Sequence, residues 1–177
     1  MDKQLFEQQI VTEPICEYAW LTPEQIPFLE QVRYICKTEC PMYGTSWSCP
    51  PAVGTVDECK NRCMQYEGAF VFTTMAEVTD ISNLQETLST RKAHETITHR
   101  IGSLMKQQTS DILILSTESC ANCETCTWPE AACRNPEHMY PCIESYGILV
   151  TEIAEKCGIT FLSGANIVTW FSLIFYR

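Results

Sequence analysis

Basic residues are scarce in this chain: 12 Lys and Arg stand against 22 Asp and Glu, for a formal net charge of −10. Proteins hold phosphate backbones with clustered Lys and Arg, so this balance argues against a nucleic-acid partner. Long apolar runs are missing as well. The most apolar stretch, 167–176, is interrupted by Thr169 and Ser172 and is far shorter than the roughly 18 residues a membrane helix needs. No membrane span is expected. The first residues, Met1 to Ile10, are polar and acidic, with neither a basic lead nor an apolar segment, so no secretory signal is read there. The sequence also lacks a nucleotide or flavin fingerprint, a linker and any low-complexity tract.

Cysteine is abundant instead. Twelve of 177 residues are Cys, a density below that of a short disulfide scaffold and well above ordinary usage. A chain of this length buries a core without cross-links, so the thiols are not needed to rescue folding. Without an export signal, metal or redox chemistry in a reducing cytoplasm accounts for them better than disulfides do.

Periodicity predicts a single domain over 1–177, with an N-terminal cysteine loop at 33–66 and an α/β core at 69–177 that carries a second loop at 118–136. Pro14, Pro23 and Pro27 limit the first thirty residues to an edge strand and a turn or short helix begun at Thr22-Pro23. Pro41, Gly44, Pro50, Pro51 and Gly54 make 36–55 a folded loop without regular helix. Thr55 or Asp57 caps a helix to about Tyr66, and Ala69 to Thr73 reads as a buried strand. Asp80 is the expected cap of the longest helix, with Ile81, Leu84, Leu88, Ile97, Ile101, Leu104 and Met105 on its apolar face. Strands are expected at 111–116, 159–162 and 167–176, and a helix over 141–157 stopped by Gly158. The alternation predicts an α/β fold: a mixed β-sheet covered by helices, with cysteine-rich metal-binding loops at one edge.

The chemistry lies in those loops. Cys120, Cys123 and Cys126 follow each other at Cys-x-x-Cys steps, and Cys133 comes seven positions later. This resembles a bacterial ferredoxin loop, in which neighbouring thiolates reach the corners of one cubane core. In that motif the fourth Cys follows sooner, so Cys133 either closes the same cube or serves a neighbour. Zinc is the rival, since it also takes four thiolates, but structural zinc sites use two separated Cys-x-x-Cys pairs. Cys36, Cys40 and Cys49 form a second group of thiols among Tyr43, Trp47 and prolines. Cys59 and Cys63, four apart on the following helix, either supply its fourth ligand or pack in the core. Cys16, Cys142 and Cys157 read as apolar filler, with Cys142 placed to approach the cluster as a spare ligand or redox-sensitive thiol.

Together, Tyr43-Gly44, Trp47, Cys49-Pro50-Pro51, Gly54-Thr55, the Cys120, Cys123, Cys126 and Cys133 set with Arg134 and Pro136, and Gly147-Ile148 with Val150 resemble a family of predicted metal-binding proteins common in anaerobic bacteria and archaea, domain of unknown function 2284. The resemblance spans about 33–158. It implies metal binding, of iron–sulfur type, by cysteines 36, 40, 49, 120, 123, 126 and 133, and it implies no reaction.

Three functions follow. The chain is an electron-transfer or redox-accessory protein carrying one or two [4Fe-4S] clusters and docking a redox partner through complementary charge. Alternatively, it is an enzyme whose three-cysteine cluster leaves one iron open as a Lewis acid. The third is a zinc-stabilised interaction module. His94 and His99 read as solvent-facing and His138 as a surface residue beside the cluster loop. Arg134 is either a cation that offsets cluster charge or part of a surface salt bridge.

Overall fold

The computed structural model describes residues 1–177. Its centre is a long antiparallel pair, β2 (Gly68–Glu77) against β4 (Ile167–Tyr176), in which Gly68 faces Tyr176 and Glu77 faces Ile167. β1 (Tyr18–Leu21) adds to the outer side of β2 and β3 (Ile112–Leu115) to the outer side of β4, for the order β1-β2-β4-β3. All four strands pair antiparallel; the one parallel pairing is an isolated bridge between Ser116 and Cys142. The thiol-rich loop leaves from the β3 edge.

Successive strand residues point to opposite faces, so the sheet has two cores. On one face Phe70, Phe72, Ile114 and Ile174 meet Phe6 and Ile10 of α1 (Lys3–Ile10) and Ile97, Ile101 and Met105 of α4 (Leu84–Lys106). On the other, Ala69, Val71, Leu115, Phe171, Leu173 and Phe175 pack with Ile153 and Ala154 of α5 (Val150–Cys157) and with Cys59 and Cys63 of α3 (Val56–Cys63). α2 (Glu30–Glu39) lies outside these layers and reaches the sheet's loop edge.

Several local expectations change. α1 forms because Asp2 caps it, its carboxylate accepting from the Leu5 N–H at 3.1 Å, while Phe6 and Ile10 share one face. α2 carries regular helix through Cys36 and ends at Cys40 because Pro41 disfavours helical geometry in the residue before it. The long helix is capped by Asn83, not Asp80, and Ile81, Leu84 and Leu88 are exposed: the face that packs on the sheet begins at His94. The 141–157 helix is divided by Gly147, whose φ is +77° and where a Cβ would sit 2.8 Å from Val56 Cγ2. A short 3-10 turn, Glu144–Tyr146, precedes it and α5 follows. Residues 159–162 are irregular.

His94 is buried, contrary to its expected surface position, because it continues the Ile97, Ile101 and Met105 stripe. Its ring is satisfied on both sides, by Thr74 Oγ1 at 2.8 Å from Nδ1 and Ser172 Oγ at 2.9 Å from Nε2. Burial holds the ring neutral and lowers its pKa from 6.5 to about 4. Native protein thus binds this proton less readily than unfolded chain, and the stability His94 contributes is complete above pH 6.5 and lost as pH falls toward 4. At about 1.4 kcal/mol per pKa unit the loss is about 3 kcal/mol. Urea midpoints between those pH values should fall accordingly, and His94→Gln should flatten the dependence. An equal slope in the variant would place the titrating group elsewhere.

Candidate metal centre

β3 delivers the chain to the first thiol group. The Ser116 N–H donates to Pro141 O and the Ile143 N–H to Ser116 O, each at 2.9 Å, which ties the end of β3 to the return segment. Glu118 then takes a left-handed φ of +56° and turns the chain outward. Beyond it, Cys120, Cys123, Cys126 and Cys133 line a cavity of about 260 Å³ together with Met42, Trp47, Arg134, Asn135 and Met139. All four thiols are half-buried.

Neighbouring loops hold this group in shape. The Cys120 N–H donates to the buried Ser48 hydroxyl at 2.8 Å, and Ser48 in turn bonds Ser46 at 2.9 Å. Asn135 Nδ2 donates to Cys123 Sγ at 3.4 Å and so fixes the direction of that sulfur. Arg134 reaches back across the loop to Thr125 O at 2.9 Å and braces the backbone there. Trp47 and Trp128 meet edge to face at 4.6 Å, and Trp47 Nε1 donates to Ala131 O at 3.1 Å. Burial raises the Cys120 thiol above its ordinary pKa, partly offset by the backbone at Asn122.

A second cavity of about 270 Å³ adjoins the first and shares Met42 and Ser119 with it. Cys36, Cys40, Cys49 and Cys142 line it, with Glu118 and Glu144 at its rim. Cys36 and Cys40 are four apart on the last turn and cap of α2, hence on one face. Cys49 is presented by a loop folded back on itself, where Gly44, at φ +75°, donates its N–H to Pro50 O at 2.7 Å. Cys142 is brought in by the parallel bridge to Ser116, and its Sγ accepts the Ser145 N–H at 3.2 Å.

Two of these thiols, Cys36 and Cys142, resist ionisation. Burial pushes Cys36 up to about 11, with Cys40 and Glu144 adding negative charge nearby, and pushes Cys142 well above its usual value. Glu144 keeps an exposed surface, yet protein crowds its carboxyl at the cavity rim. That desolvation, with Glu118 adding repulsion, raises it to about 7. Four thiolates in such a place need a compensating cation, and binding one would release protons.

Cys59 and Cys63 are not with this group. Both are fully buried in the apolar core around α3 and α5, where Cys59 Sγ lies 3.4 Å from Val53 O. Burial raises both thiols, Cys63 the more strongly. Cys16 is exposed and Cys157 half-buried against the core, so neither lines a thiol cavity. The residue that spacing alone undervalued is Cys142; its signal lies in the segment pairing with β3, which no local pattern reveals.

His99 and His138 meet edge to face at 5.0 Å, and Tyr140 Oη bonds His99 Nδ1 at 2.7 Å. His138 is exposed, as its sequence position predicts, while His99 is half-buried. The His138 backbone oxygen accepts from Asn122 Nδ2 of the first loop at 2.5 Å.

The donor chemistry suits a thiophilic metal, whether zinc or iron with sulfide. Nowhere do three Cys, His, Asp or Glu side chains converge at the spacing of one bound ion. The thiols surround voids with room for several water-sized groups. No helix is long and apolar enough to cross a membrane.

No curated protein and no solved structure matches this chain. Residues 19–176 match the family described as predicted metal-binding protein (DUF2284), and since that is nearly the whole sequence, the chain belongs to this metal-binding family.

Proposed function

We propose that the protein binds an iron–sulfur cluster at Cys120, Cys123, Cys126 and Cys133 and works as an electron-transfer or redox-accessory protein. The observation that carries this reading is the gathering of those four thiols, three of them at successive Cys-x-x-Cys steps, around one void of about 260 Å³. A thiolate-held cluster accepts and returns one electron at a time. The residues around the cavity supply the remainder. Asn135 donates to Cys123 Sγ and orients it, and the Trp47 and Trp128 pair limits water at the loop.

The net charge of −10 fits docking to a redox partner with a basic face, and the need for free thiols fits a reducing cytoplasm. Protein purified without oxygen should be brown, contain iron and acid-labile sulfide, and lose part of its broad visible absorbance on addition of dithionite. Colourless protein with stoichiometric zinc would overturn the reading in favour of a zinc-stabilised module.

A further inference from the structure

We propose that Cys36, Cys40, Cys49 and Cys142 form a second, fully cysteine-ligated cluster site, with Cys142 as the ligand that closes it. This rests on the iron–sulfur reading of the first site and extends it to separate elements of the fold.

The four thiols come from three places: the end of α2, the folded 40–55 loop and the turn after β3. Unrelated segments bring their only polar sulfur groups to one cavity of about 270 Å³, nearly the size of the first. Chance packing of small apolar side chains would not leave a void at their meeting point, because cores close around such residues. Cys59 and Cys63 illustrate the packed alternative, with no exposed surface.

Cys142 has the features of a ligand. The Ser145 N–H points at its sulfur from 3.2 Å, the kind of contact that stabilises a metal-bound thiolate. The Ser145 hydroxyl bonds Cys142 O at 2.6 Å, so the turn carrying the sulfur is fixed from both sides. The bridge to Ser116 sets that turn beside the root of the first thiol loop. Met42 and Ser119 form a wall common to both cavities. Four cysteines would leave no open iron, so the second site is a carrier centre and not a Lewis-acid centre.

The test is iron and sulfide analysis of full-length protein prepared without oxygen. Wild type should hold roughly eight iron per chain, as two cubanes require. Cys142→Ala and Cys40→Ala should each lose about half of it and keep the reduced-state paramagnetic signal of the first site. The double variant Cys59→Ala/Cys63→Ala should keep all of it. Alkylation of the loaded wild type supplies a measure that no folding defect confounds. Cys40 is exposed in this fold, so a bound cluster should protect it while Cys16 reacts.

Full iron retention in Cys142→Ala, loss of half in the Cys59/Cys63 variant, or Cys40 alkylated as fast as Cys16 would each overturn the assignment. Wild type with about four iron, insensitive to Cys142→Ala, would sink this inference and leave the first-site reading standing. Wild type with no iron would sink that reading itself.

Discussion

Stripping metal from the loaded protein should release the 118–135 loop while leaving the β2 and β4 ladder intact. Between Glu118 and Asn135 the chain forms no helix or strand. Its internal ties are few, among them the Ala131 N–H to Thr127 O at 2.9 Å and Arg134 to Thr125 O at 2.9 Å. The sheet is held by two apolar cores in which no loop thiol takes part. Local opening depends on the contacts of the opening segment, so the two regions should part company when the metal leaves.

Arg134 is the single basic residue of that loop and offers a specific readout. Tryptic cleavage after Arg134 should accelerate about a hundredfold on chelation, corresponding to about 3 kcal/mol of lost local protection at 1.4 kcal/mol per tenfold. Far-UV circular dichroism should change little. Cleavage at an unchanged rate would show that protein contacts alone order the loop, and simultaneous loss of the dichroism would show that the core needs the metal too.

The second large effect is expected at Arg33. Its Nη1 donates to Gly54 O at 2.6 Å and its Nη2 to Ser145 O, so one guanidinium joins α2, the start of α3 and the turn after Cys142. Hydrogen bonds from a charged donor contribute about 1.5–3 kcal/mol each. Against them stands the buried Nε, which has no partner. Arg33→Met should therefore destabilise by about 3 kcal/mol net, since losing two charged bonds outweighs relieving one orphaned donor. For a chain of this length that is a fall of roughly 6–12 °C in melting temperature. Lysine cannot span both carbonyls, so Arg33→Lys should recover only part of it. Calorimetry would decide, and an unshifted melting temperature in Arg33→Met would show that other contacts hold this junction.

The sequence made three of the sheet's four strands and the first thiol loop legible because their signals are local, although β3 lies at the edge of the sheet and not at its centre. Residues 69–73, 111–116 and 167–176 are apolar runs bounded by polar or turn residues, and β2, β3 and β4 lie there. Cys120, Cys123 and Cys126 carry their meaning in their spacing. What stayed hidden depends on contacts far along the chain. Cys142 meets Cys49 only because the 141–143 segment pairs with Ser116, and His94 is buried only because α4 settles on the sheet from that residue onward. Cys59 and Cys63 share a helix face as their spacing predicts, but the face they share is turned to α5 and the sheet. A spacing rule fixes which residues travel together, and packing decides where they go.

The scattered origin of the second cavity's thiols also bears on how the protein is made. The first group lies within one short loop and is whole as soon as Cys133 has been synthesised. Cys36, Cys40 and Cys49 leave the ribosome long before Cys142, and their partner arrives only after α4 and β3 have been translated. During that interval three thiols wait without the residue that completes their enclosure. Under the two-cluster proposal the later-numbered loop, complete nine residues before Cys142 is added, should fill first.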